Sequence, residues 1–239
     1  MKKYFTLLIL CFLTITSRAQ MGISGAYTWF EANEWELYMD RLIDDYQEGY
    51  FFQNAFQVGL DYRLRLKNVR IEFLPEARYA RYEAHPESIY DTGTLGFQNF
   101  SFHLNTNIYP LNFFGDCDCP TFAKQEPWLE KGLFLQLSPG VHYLVQSYES
   151  DQMLAIYDDV EDWAYSLGIG AGFDIGISNW ITLTPYGRLT RYWDGKWSDF
   201  EKNPFFSETE VLISSYALVQ PYALWVPEAG LRLGIRWKH

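Results

Sequence analysis

Cysteine is scarce: the 239-residue chain holds three, too few for a disulfide framework to carry the fold. Basic side chains are scarce too, 19 Lys and Arg against 30 Asp and Glu, for a formal charge of -11. Three of those bases, Lys2, Lys3 and Arg18, fall in the first twenty residues, which contain no acid. So acidic a chain excludes nucleic acid as a partner, because binding a polyphosphate needs a net basic surface. Beyond residue 20 there is no uninterrupted apolar run of eighteen residues, which excludes a membrane-spanning helix. The motif Gly-x-Ser-x-Gly is missing as well, so the sharp-turn serine of an α/β hydrolase is excluded. Aromatic residues are what the chain has in excess: 18 Tyr, 18 Phe and 9 Trp make up 19% of it. That bias suits strands and membrane interfaces better than helices.

The first nineteen residues read as a secretory signal peptide: positive at Met1-Lys2-Lys3, apolar from Tyr4 to Ile15, and leaving through Ser17-Arg18-Ala19. Cleavage after Ala19 removes Cys11 with the leader and leaves one mature domain, residues 20 to 239. In that domain the dominant periodicity is two. From Trp163 to Ile177 one face carries Trp163, Tyr165, Leu167, Ile169, Ala171, Phe173, Ile175 and Ile177, while the other is small, with four glycines and Asp174. A soluble sandwich pairs an apolar face with a charged one; a glycine-rich second face fits the crowded lumen of a small barrel whose outside meets lipid.

Eight strands are expected, at roughly 21 to 30, 55 to 66, 69 to 82, 96 to 109, 132 to 146, 163 to 177, 181 to 192 and 222 to 237. A two-residue turn at Lys67-Asn68 sets Leu66 opposite Val69 and Arg63 opposite Glu72. A three-residue turn at Ser178-Asn179-Trp180 pairs Ile177 with Ile181 and Ile175 with Leu183. The connections alternate between long loops and short turns, except for a long fourth connection at 110 to 131. The long segments 31 to 50, 83 to 94, 149 to 162 and 194 to 213 hold 21 acids and 3 bases. One end of the molecule is therefore strongly acidic.

The last strand carries a motif. Glu228-Ala229-Gly230-Leu231-Arg232-Leu233-Gly234-Ile235, followed by Trp237, places Gly230, Leu233, Ile235 and Trp237 in the pattern of a C-terminal assembly signal of outer-membrane barrels. With the leader and the eight alternating strands, the chain resembles the small eight-stranded bacterial outer-membrane β-barrel proteins of the OmpA, OmpX and OmpW type, most of all the Bacteroidota porin-like or PorT-like ones. The resemblance implies an all-β, eight-stranded antiparallel up-and-down transmembrane barrel in the outer membrane, with periplasmic termini. Its partners would be outer-membrane lipid and lipopolysaccharide, the barrel assembly machinery, and a periplasmic or outer-membrane protein; no cofactor is expected.

Candidate chemistry lies in four places. Cys117 and Cys119 are close enough for a strained disulfide; the alternatives are a redox-exchanging pair, a metal site with Asp116 or Asp118, and a loop for docking a partner. On the inner face Arg63, Glu72, Arg65, Arg70, Glu76 and Arg78, with Asp61, Asp174, Arg188, Arg232 and Arg236, read either as a conduit or as a salt-bridged plug. The plug is favoured, because so small an interior is filled by its own side chains. His103 and His142, with Ser101 and Ser138, share that face and would be needed by a lipid- or ester-acting barrel enzyme. Asp158, Asp159, Glu161 and Asp162 form an acidic run that lacks the alternating ligands and glycine of a calcium loop; a solvated surface is the favoured reading and no metal is expected. Trp35, Leu37, Tyr38, Leu42, Ile43 and Tyr46 read as a local hydrophobic cap. Trp29, Tyr79 and Trp163 are expected in an outer aromatic girdle, and Tyr109, Trp180 and Trp237 in an inner one. The function expected is non-enzymatic: envelope structure, adhesion or surface interaction. The alternatives are an accessory subunit of a secretion or transport complex docked through the Cys117-Cys119 loop, and the barrel enzyme.

Overall fold

The computed structural model describes residues 20–29, 54–66, 69–84, 93–113, 132–150, 160–178, 180–193 and 224–236. The leader, Cys117, Cys119, Asp158, Asp159, the cap residues of the first long loop and Trp237 lie outside them, as does the Arg236 side chain. Alternation writes the strands directly: along β1 (Gln20–Trp29) every second side chain is buried and the ones between face out. The others are β2 (Asn54–Arg65), β3 (Ile71–Ala84), β4 (Gly93–Ile108), β5 (Leu133–Ser150), β6 (Val160–Phe173), β7 (Ile175–Gly176), β8 (Ile181–Trp193) and β9 (Leu224–Arg236). All pairings are antiparallel between chain neighbours, and β1 closes on β9. β6 and β7 are one stave, since both pair with β8 in a single register. The chain is thus an all-β, closed eight-stranded antiparallel barrel.

Hydrogen-bonded partners followed once around the barrel, from Arg65 through Glu72, Asn107, Gln136, Gly170, Arg188, Glu228 and Thr28, return to β2 at Ala55. The ladder is displaced by ten residues, a stagger that tilts the staves by roughly 40°. Prolines mark the gaps in this ladder. Where Pro75, Pro139 and Pro185 stand, the ladder skips Tyr62, Leu104 and Phe173 opposite them, because proline has no N–H to give. All three face outward.

Polarity is inverted relative to a soluble protein. The outside shows Phe56 and Leu60 at 63% exposure and Ile177 at 61%, while Glu72, Glu76 and Asp174 are buried. Glycines on the inner face make the room. A Cβ on Gly22 would lie 2.5 Å from both Arg232 Nη2 and Asp61 Oδ2, and one on Gly168 would lie 2.7 Å from Arg188 Cδ.

The Ser178 hairpin has the expected register, Ile175 opposite Leu183, with Ile177 N donating to Ile181 O at 3.0 Å. The β2–β3 hairpin differs. Leu66 N donates to Ile71 O at 3.1 Å and Arg65 stands opposite Glu72, so the connection is four residues long and the register is two residues from the expected one. A shift of two keeps every side chain on its face. The fourth connection opens with a 3-10 turn, Pro110–Asn112.

Candidate functional site: a closed lumen

Inward side chains build the lumen in storeys. At the short-turn end Arg63 is the hub: it pairs with Glu72, donates from Nη2 to Asp174 Oδ2 at 2.8 Å and from Nη1 to Gln20 Oε1 at 2.8 Å. The Tyr109 hydroxyl lies 2.7 Å from Asp174 Oδ2 and 2.8 Å from Glu72 Oε2, so its proton separates two carboxylates. Thr184 caps the other Asp174 oxygen at 2.6 Å, and Arg232 clamps Asp61 with bonds of 2.6 and 2.7 Å.

Mid-barrel, Glu228 is shared by two guanidiniums, at 3.1 Å from Arg78 Nη1 and 2.8 Å from Arg188 Nη2. Arg78 Nε also sits 2.8 Å from Glu76, which accepts from Ser24 and Asn105. Arg78 Nη2 reaches Tyr186 at 2.9 Å. Among the described residues five inward acids (Asp61, Glu72, Glu76, Asp174 and Glu228) are thus paired by four arginines (Arg63, Arg78, Arg188 and Arg232), with Arg70 nearby as a fifth cation. Neutrality with direct pairing is the condition under which buried charge is tolerated. Between the two storeys lies a cavity of about 20 Å³ lined by Asp61, Arg63, Arg78, Asp174 and Arg232 among others. That is room for about one or two waters and no solute.

Toward the long-loop end the chemistry turns neutral. His142 Nε2 lies 2.7 Å from Ser166 Oγ and its Nδ1 3.0 Å from Asn99 Oδ1. His103 Nδ1 faces Ser138 Oγ at 3.2 Å, and the two imidazoles meet edge to face at 5.1 Å. One inward position further up each strand stand Tyr82, Phe97, Leu144, Ala164 and Val226, all at 5% exposure or less. The histidines are therefore roofed by apolar side chains.

Of the expected lumen residues, Glu72, Glu76, Arg63 and Arg78 take their places, and Arg63 pairs with Glu72 on the diagonal instead of directly across. Arg65 does not: at the very end of β2, beyond the last described β1–β2 pair of Gln20 with Arg63, it is exposed. Arg70 precedes β3 and is buried with its guanidinium 4.1 Å over the Tyr109 ring, with no ion pair to a carboxylate among the described residues. Tyr109 is no girdle residue. It is fully buried, since it keeps the inward phase of His103, Asn105 and Asn107. Trp29, Trp163 and Trp180 do face outward, and Tyr79 lies outward against Phe100 at 4.9 Å.

Leu233 and Ile235 point out while Gly230 leaves space for Tyr186. Ser101 is buried but the serine that meets His142 is Ser166. Sequence reasoning missed it along with Asn99 and Glu228, although all three share the inward phase of residues it did place. Glu161 and Asp162 are consecutive in β6, so their side chains leave opposite faces and cannot converge on one ion. Among the described residues no group of three or more His, Cys, Asp or Glu could hold a metal.

No family model matches the chain, and no curated protein does. Solved structures are similar to it. Ail, the attachment invasion locus protein of Yersinia pestis, has 11% identity and a TM-score of 0.42 over 92% of this chain and 98% of that one. Neisserial surface protein A has 12% and 0.33 over 93% and 96%. The N-terminal β-barrel domain of Pseudomonas aeruginosa OprF has 10% and 0.34 over 90% and 97%. These similar structures are small outer-membrane barrels. Likenesses this distant say nothing of activity.

Proposed function

We propose that this chain is a non-enzymatic integral β-barrel of a bacterial outer membrane, with periplasmic termini, that presents acidic loops for envelope structure, adhesion or surface interaction. One observation supports it above the others: the wall is apolar outside and ion-paired inside. Such a wall is stable only where its exterior meets hydrocarbon. A charged half whose cavity has room for one or two waters favours a plugged barrel over a conduit. The partners proposed are outer-membrane lipid, lipopolysaccharide and the barrel assembly machinery.

The test is gel mobility of the detergent-extracted protein, unheated against boiled, together with conductance in planar bilayers. A heat-dependent shift in the membrane fraction with no steady conductance is the expected result. Recovery from the soluble periplasmic fraction would overturn the reading.

The order Ser166, His142, Asn99 is that of a nucleophile, base and orienting amide, which favours a second reading as a lipid or ester hydrolase. Its apolar roof weighs against it. Labelling of Ser166 by a fluorophosphonate, lost in His142→Ala, would establish it. The accessory-subunit reading rests on the Cys117-Cys119 segment, and a co-purifying partner lost on deleting residues 113 to 128 would support it.

A further inference from the structure

Two arginines face outward near the long-loop end. Arg81 has its counter-ion in the chain, with Nη2 2.6 Å from Glu83 Oε1 and both side chains exposed. Arg191 has none among the described residues, and its Nε is shut from solvent without a hydrogen bond. Two indoles hold it instead: its guanidinium carbon lies 5.6 Å from the Trp193 ring centre and 5.4 Å from that of Trp225. Trp225 is its cross-strand partner on β9, and Tyr165 stands opposite Trp193 on β6. Below it, the outward face of β8 is Leu189, Gly187, Pro185, Leu183 and Ile181, so Arg191 marks the upper edge of the apolar belt.

Indole rings stabilise a cation through their faces but accept no conventional hydrogen bond. Among the described residues nothing accepts from the guanidinium's fork of N–H donors, which matches phosphate geometry. Tryptophan at a belt edge sits at headgroup depth. The segments 149 to 162 and 194 to 213, which adjoin β6 and β8 in sequence, are acidic, which favours a lipid-borne phosphate over a free anion. We propose that Arg191, clamped by Trp193 and Trp225, binds the phosphate of a membrane-lipid headgroup in the leaflet on the long-loop side. This rests on the membrane reading above.

The experiment is native mass spectrometry of the mature chain in detergent, titrated with diphosphoryl lipid A and with the same lipid stripped of phosphate. Wild type is expected to retain the phosphorylated lipid, Arg191→Gln to weaken its retention about tenfold or more, and Arg81→Gln to leave it unchanged. Millimolar inorganic phosphate should not displace the lipid. Equal retention of the phosphate-free lipid, or full retention by Arg191→Gln, would overturn the proposal. The second of these is also what a loop carboxylate as counter-ion would produce. Gel mobility on the same samples separates the two readings. A wild type without a heat shift sinks the membrane assignment, whereas an intact shift with phosphate-blind retention sinks the Arg191 site alone.

Discussion

The two halves of the lumen are filled with different materials. From the short-turn end to mid-barrel the filling is guanidinium and carboxylate, with arginines reaching across to acids on other staves, as Arg78 does to Glu228 and Arg63 to Asp174. Toward the long loops it is bulk: Tyr82, Phe97, Leu144 and Val226 over two buried histidines. The two halves should fail differently. The charged half tolerates no unpaired member, whereas the apolar half is sensitive to volume. Glycine follows the same division, since Gly22 and Gly168 lie against charged side chains whose long stems need the space.

The largest effect is expected from Glu228→Ala, which takes the carboxylate from Arg188, leaves Arg78 with Glu76 alone and should destabilise by about 3–5 kcal/mol. Urea unfolding in lipid vesicles, read as midpoint and slope, measures it. Leu144→Ala should cost about 3 kcal/mol through a cavity in the upper half, with the heat-shift temperature falling and the charge network unaffected. Gly22→Val should cost about 2 kcal/mol by overpacking the Asp61–Arg232 pair, and removing that pair in the same chain should recover much of the loss. The smallest effect sharpens the comparison. Asp61→Leu with Arg232→Leu rebuilds part of the charged half in apolar material and should change stability by less than about 1 kcal/mol, although either single change is strongly destabilising. A large loss in the double variant would mean that the charges themselves, beyond their pairing, specify the barrel.

Much of this was legible in advance because strand periodicity is local. The face of every residue from Trp163 to Ile177 follows from parity alone, and so does the register of the Ser178 hairpin, where three residues leave one way to pair apolar with apolar. The β2–β3 register was not legible to that standard. A slip of two residues conserves parity, so Leu66 can pair with Val69 or Ile71 without a change in the hydrophobic pattern, and only the closed ladder discriminates. Tyr109 was misplaced because its aromatic character at a strand end outweighed its phase. Arg65 had the right phase but stands where the wall ends. Glu228, Ser166 and Asn99 had the right phase too, yet nothing in the linear pattern says which inward group meets which.

By itself the sequence determined that this protein is a strand-built wall with an apolar outside and a small, polar inside, because side-chain alternation depends only on neighbours along the chain. Only the tertiary structure decided which residues share the interior and in what company. The ten-residue stagger of the closed ladder brings Arg78, Arg188 and Glu228, on β3, β8 and β9, to one point, and it seats Arg191 beside Trp225. Those contacts depend on how strands are displaced around the barrel, a quantity that closure sets and that no single strand encodes.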